Sequence, residues 1–234
     1  MKNQILKIYG LTKTEIEKHL AQIPENIKND CKISIKEKYL DVSLDIESEN
    51  EDNIVKIIKQ IFDKLKNNIY AEDNQTLYEK LAEIITVRNK KLCIMEQATG
   101  GVLSSNLIAI DNVEKHIVSS EILPSVENWL TRYDIDPKLL RENKGISSKL
   151  VFSIASAMRR TFIADYYIVA LSSDAPGLDV YSFEDKSENH FSIIAIGDNN
   201  GVEIYKLQLS GSKRDRNNQT AKSICFKLIT ELKK

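Results

Sequence analysis

Apolar residues along this 234-residue chain recur in two different rhythms. Over the first seventy residues the rhythm is mostly alternation. Gln4 to Tyr9 reads as a strand ending at Gly10, and Thr12 or Thr14 then caps a helix that carries Ile16, Leu20 and Ile23 on one face and stops at Pro24. Cys31, Ile33 and Ile35 alternate with lysines, and Leu40, Val42, Leu44 and Ile46 alternate with polar residues. This predicts two half-buried strands with a turn near Glu37-Lys38. Ile54, Ile57, Ile58, Ile61 and Leu65 then take helical spacing between about Asp52 and Lys66. The order β-α-β-β-α predicts a small sheet with two helices on one face, a ferredoxin-like or KH-like α+β unit over residues 1–70. Residues 67–74 read as a polar connector.

From residue 75 the apolar runs shorten and lose their alternation. Leu77, Leu81, Ile84 and Ile85 predict a helix, Leu92–Met95 a buried strand, and Leu103, Leu107 and Ile110 a helix beginning near Val102. A strand is expected over 115–122, and short helices over 125–132 and 137–142. A longer helix follows, capped by Ser147-Ser148 and reaching Phe162. Tyr166–Leu171 suits a central strand. Phe191–Ile196 and Val202–Leu209 suit an antiparallel pair around the polar turn 197–201. A last helix spans about 217–232. Residues 75–234 thus read as helices packed on a mixed, partly parallel sheet, and the chain as a whole as α/β.

Composition narrows the function classes. The net charge of −1 offers no bulk electrostatic case for nucleic acid or membrane binding. No apolar run approaches a membrane span and no signal region opens the chain, so a cytoplasmic protein is expected. A KH module that binds nucleic acid needs a Gly-X-X-Gly loop. The first unit has only Gly10, and Lys32, Lys36 and Lys38 read as a solvated strand face. The three cysteines lack metal-ligand spacing, with Cys93 and Cys225 expected in the core. His19, His116 and His190 are scattered, with His19 expected on the surface, so neither a metal nor a cofactor is expected.

Candidate chemistry concentrates in Glu96-Gln97-Ala98-Thr99-Gly100-Gly101. Paired glycines between a strand and a helix let backbone approach a ligand, and free N–H groups at a helix start suit an anion. The same residues also fit a tight turn with Thr99 as N-cap. Glu96 could bond a ligand or cap a loop. The stretch Ser172-Ser173-Asp174-Ala175-Pro176-Gly177 is a second loop beyond a parallel strand, the position where ligands collect in open α/β sheets. Lys213-Arg214-Asp215-Arg216, placed just before the last helix, could complete a phosphate site with a guanidinium fork or form a solvated basic turn.

These residues resemble the CinA family (competence/damage-inducible protein A). The family pattern Glu-Ser-Cys-Thr-Gly-Gly stands here as Glu96–Gly101, and the likeness continues at Asp136–Leu140, Gly145-Ile146-Ser147 and Gly211–Leu232. Residues 1–70 resemble its KH-like middle domain and 75–234 its C-terminal domain, without the family's N-terminal molybdopterin-binding-like domain. The resemblance implies an α/β/α layered domain, a homodimer, and amide hydrolysis of nicotinamide mononucleotide with release of ammonia. It implies a substrate site at Glu96, Gln97, Thr99, Gly100, Gly101, Ser172, Ser173, Lys213 and Arg214.

The departures from the pattern bear on the chemistry. Gln97 stands at the family's serine nucleophile, Ala98 at its cysteine, and Pro124 and Trp129 at its tyrosine and lysine. An amide is neither nucleophilic nor titratable. The expectation is a pocket for a nicotinamide nucleotide or another phosphate-bearing small molecule, without the hydrolysis. The alternative is an amidohydrolase with a relocated nucleophile at Ser104, Ser119, Ser120 or Thr99.

Overall fold

A computed structural model describes residues 2–28, 30–181 and 190–234. The backbone divides into two compact units, 1–80 and 81–234. The first contains β1 (Lys2–Tyr9), α1 (Lys13–Ala21), α2 (Glu25–Lys28), β2 (Cys31–Lys38), β3 (Asp41–Ser48), α3 (Glu51–Leu65) and β4 (Ile69–Ala71). Its sheet runs β2-β3-β1-β4 and is antiparallel throughout. Alternation delivers Leu6, Ile8, Val42, Leu44 and Ile46 to one face, where α1 contributes Ile16 and Leu20 and α3 contributes Ile54, Ile57 and Ile61. Thr12 and Glu15 form the capping box that starts α1.

Three expectations for this unit need correcting. The connector 67–74 holds a strand: Ile69, Tyr70 and Ala71 are buried and β4 pairs with β1. Three residues are too few to register as a period. The hairpin turn lies at Tyr39-Leu40 rather than Glu37-Lys38, because Lys38 pairs with Asp41 and both turn residues take φ 59°. A two-residue turn with two left-handed positions usually advertises itself by Asn-Gly, and this one has neither residue. His19 is half-buried rather than exposed.

The division between the units falls within α4 (Leu77–Val87). The second unit continues with β5 (Leu92–Glu96), α5 (Val102–Ile108), a 3-10 turn Val113–His116, β6 (Ile117–Ile122), α6 (Val126–Tyr133), α7 (Lys138–Glu142) and α8 (Ser148–Thr161). It closes with β7 (Tyr166–Ser172), β8 (Phe191–Gly197), β9 (Val202–Gln208) and α9 (Lys213–Lys233).

The sheet order is β6-β5-β7-β8-β9, with β6, β5 and β7 parallel and the rest antiparallel. Cys93, Met95, Val169 and Ile193 face a core built with Trp129 of α6 and Leu150, Ile154 and Met158 of α8. On the opposite face Ser192 Oγ meets Thr220 Oγ1 of α9, and α9 packs against α5. Helices therefore cover both faces, giving three layers. No described helix is long and apolar enough to cross a membrane.

The last helix starts at Lys213, a turn earlier than the apolar pattern predicts. Ser212 caps it, with its hydroxyl accepting from Asp215 N–H while the Asp215 carboxylate accepts from Ser212. That first turn is polar on every side, so hydrophobic periodicity could not mark it.

Candidate functional site

Strand order fixes where a site can form. The chain leaves β5 on one side to make β6, then returns past it to make β7 on the other. The C-terminal ends of β5 and β7 therefore flank the reversal point, the place where open α/β sheets collect ligands. The loops 96–101 and 172–177 both start there, and the structure ties them together. Gln97 and Ala98 N–H donate to Ala170 O, each at 3.0 Å, and Gln97 Oε1 accepts Ser172 N–H at 2.7 Å.

Glu96 is wholly buried at the end of β5. Its carboxylate accepts Leu103 N–H at 3.1 Å and Ser104 N–H at 2.9 Å, the exposed donors of the first turn of α5. The hydroxyls of Thr99 and Ser104 also donate to it, and Ser104 Oγ meets Ser120 Oγ. The negative charge that the start of α5 attracts is thus the chain's own. Thr99 is not the N-cap. Gly101 holds that position at φ 89°, and the Thr99 hydroxyl is directed to Glu96 instead.

The glycines answer to their neighbours. Gly100 at φ 58° lies against Asn217, whose side-chain amide a Cβ would meet at 2.8 Å, and a Cβ on Gly101 would lie 2.7 Å from Ile122 Cδ1. With its amide oriented to donate, Asn217 reaches Ala98 O and Lys213 O, both at 3.0 Å. The first turn of α9 is thereby fastened to the loop after β5.

In the second loop, Ser172 Oγ donates to Asp174, and Asp174 Oδ2 pairs with Arg216 Nη2 at 2.6 Å. Arg216 Nη1 donates to Gly211 O at 2.7 Å. Burial alone would raise the Asp174 pKa, but the hydrogen bonds from Ser172 and Arg216 outweigh it and hold the carboxyl below its ordinary value. Ser173 exchanges hydrogen bonds with Phe191, its N–H donating to Phe191 O at 2.9 Å and its Oγ accepting Phe191 N–H at 3.1 Å. It closes the β7–β8 pair.

Of the residues the sequence singles out, Glu96, Gln97, Thr99, Gly100, Gly101, Ser172 and Ser173 gather at this end of the sheet. Lys213 and Arg214 lie exposed on the first turn of α9. Asn217 went unmarked, and Arg216, the basic side chain that reaches Asp174 in the 172–177 loop, was marked only as part of the basic run 213–216 and not as its inward member. The capping pattern Ser212–Asp215 could have found it, since a helix starting at Lys213 places Arg216 one turn in. Trp129 is a core residue, wholly buried, with Nε1 donating to Leu123 O at 2.8 Å. Cys93 is no nucleophile, because burial pushes its thiol up to about 12. Among the described residues, no group of three or more His, Cys, Asp or Glu could hold a metal ion.

Fold and frame define a layered α/β protein whose first and third strands in the parallel set, joined through their loops and the start of a long helix, form a polar frame at the reversal point. Residues 74–233 match the CinA C-terminal domain model, and the chain belongs to that family. A relative from Caldicellulosiruptor saccharolyticus is 22% identical over 219 residues, covering 90% of this chain and 52% of its own length. A CinA-like protein from Fusobacterium nucleatum is 24% identical, covering 82% of this chain and 46% of its own. The chain thus spans about half the length of these curated relatives. A competence or damage-inducible protein from Enterobacter asburiae shares the fold at a TM-score of 0.58 and 23% identity, over 68% of this chain and 99% of that one. The corresponding figures for a CinA superfamily protein from Klebsiella pneumoniae are 0.57 and 18%, over 67% and 97%.

Proposed function

We propose that this chain is a diverged CinA-like protein that binds a nicotinamide nucleotide or a related phosphate-bearing small molecule and does not hydrolyse it, acting as a binding or regulatory module. One observation carries this reading. Where the resemblance puts a serine nucleophile, Gln97 lends its amide oxygen to Ser172 N–H at 2.7 Å and has become a brace between two loops. The hydroxyls closest in sequence, Thr99 and Ser104, are buried and donate to Glu96, so neither faces a substrate carbonyl. Covalent amide hydrolysis needs an activated hydroxyl or thiol beside a base.

A second reading keeps the hydrolysis, and Ser172 is what favours it, since its Oγ sits on the Asp174 carboxylate beyond the end of β7. Against it, the pairing with Arg216 keeps Asp174 ionised and makes it a weak proton acceptor near neutral pH. Ammonia release from nicotinamide mononucleotide, measured on the purified protein beside a Gln97→Ser variant, separates the two. Absence of turnover with a raised melting temperature supports the binding module. Clear wild-type turnover overturns it, and no melting shift removes the pocket as well. The resemblance also supports a homodimer, which light scattering on the purified chain would test, and a KH-like first unit, whose lack of a Gly-X-X-Gly loop argues against nucleic-acid binding.

A further inference from the structure

The cation that meets the frame already has an anion. Arg216 lies in the first turn of α9, its side chain only 12% exposed, and reaches the loop after β7 to pair with Asp174, whose side chain is 23% exposed. Its other arm is fixed on Gly211 O. A planar guanidinium positioned by a backbone carbonyl is the geometry that takes two oxygens of a phosphate or carboxylate at once. Lys213 and Arg214 are exposed on the same turn and suit attraction at a distance rather than a fixed bond.

We infer that Arg216 is the phosphate-recognition residue of this site and that Asp174 occupies it in the free protein, so that a phosphate-bearing ligand binds by displacing the Asp174 carboxylate. Exchange is chemically balanced, with one anion leaving the guanidinium as another arrives. The released carboxylate keeps the Ser172 hydroxyl as a donor and, being partly exposed, gains water. The consequence is a site that holds its own competitor and rejects nucleosides that lack a phosphate. This inference rests on the reading of the frame as a nucleotide pocket.

The test is calorimetric titration of nicotinamide mononucleotide, and of its unphosphorylated nucleoside, into wild-type protein and the Asp174→Asn variant. Asn keeps the shape and removes the charge. The variant should bind the mononucleotide on the order of tenfold more tightly than wild type, with no gain for the nucleoside. Adding Arg216→Lys to Asp174→Asn should erase most of the gain, because an ammonium keeps the charge but not the two-point fork. Circular dichroism of each variant establishes that it is folded. If wild type binds the mononucleotide and Asp174→Asn binds it no better, the inference falls while the pocket stands. If neither binds, both fall. An equal gain for the nucleoside overturns the assignment of Arg216 to phosphate.

Discussion

The two units handle polar residues in opposite ways. In the first, polar side chains opposite the core lie on the open face of the antiparallel sheet and satisfy one another across strands. Lys32 pairs with Glu47 and Lys36 with Asp45, each at 3.6 Å, while Ser34 Oγ donates to Asp45. Both lysines are more than 70% exposed, so these pairs contribute little. In the second unit Glu96, Gln97, Thr99, Ser104, Ser172 and Ser173 are buried together where parallel strands end. Burying a carboxylate is costly unless donors surround it, and Glu96 has four donor groups around it. A polar group that lies buried by design constrains its neighbours, whereas one on an open face constrains nothing. This is why the candidate site belongs to the second unit.

Substitutions can break that contrast. Glu96→Ala should be the most damaging, leaving two backbone donors of the α5 start and the Thr99 hydroxyl without their acceptor, with only the Ser104 hydroxyl keeping a partner in Ser120, at a cost of about 3 kcal/mol or more. The midpoint of urea denaturation reads it, and a loss below about 1 kcal/mol would mean that water takes over the carboxylate's role. Gly101→Ala comes next. Forcing a side chain onto φ 89° costs about 1–2 kcal/mol, and Ile122, 54% exposed, can swing away from the new methyl. If trimming Ile122 to alanine restored the whole loss, the contact rather than the backbone would be its cause.

The Asp174–Arg216 pair gives a smaller, pH-dependent effect. The folded-state pKa of Asp174 lies below its ordinary value, so the pair contributes stability above that ordinary value and loses it as the pH falls through the folded one. Denaturation midpoints of wild type and Asp174→Asn should therefore converge in acid and separate towards neutrality. A constant difference would exclude the ion pair as its source. Lys36→Ala on the first unit's open face should shift stability by less than about 0.5 kcal/mol. A larger shift there would erase the distinction between the two units.

Much of the fold was legible along the chain. Period-two alternation placed β1, β2 and β3, since one face of an antiparallel sheet meets water, and continuous apolar runs placed β5 and β7, buried on both faces. What escaped was short or polar: the three residues of β4, the turn at Tyr39-Leu40, and the first turn of α9. The site was half legible. The glycines and the strand-to-loop breaks marked its place and the basic run 213–216 held its cation, but spacing did not distinguish Arg216 from the exposed Lys213 and Arg214.

The residue pattern by itself determined the two sheets, most of their helices and the end of the second sheet where polar loops gather, because burial periodicity is a local property. Only the tertiary structure decided that Glu96 turns inward to close α5, that Gln97 braces Ser172, and that Asp174 holds Arg216. Those partners lie between 7 and 75 positions apart in the chain, and strand order and helix placement, not spacing, bring them within hydrogen-bond reach.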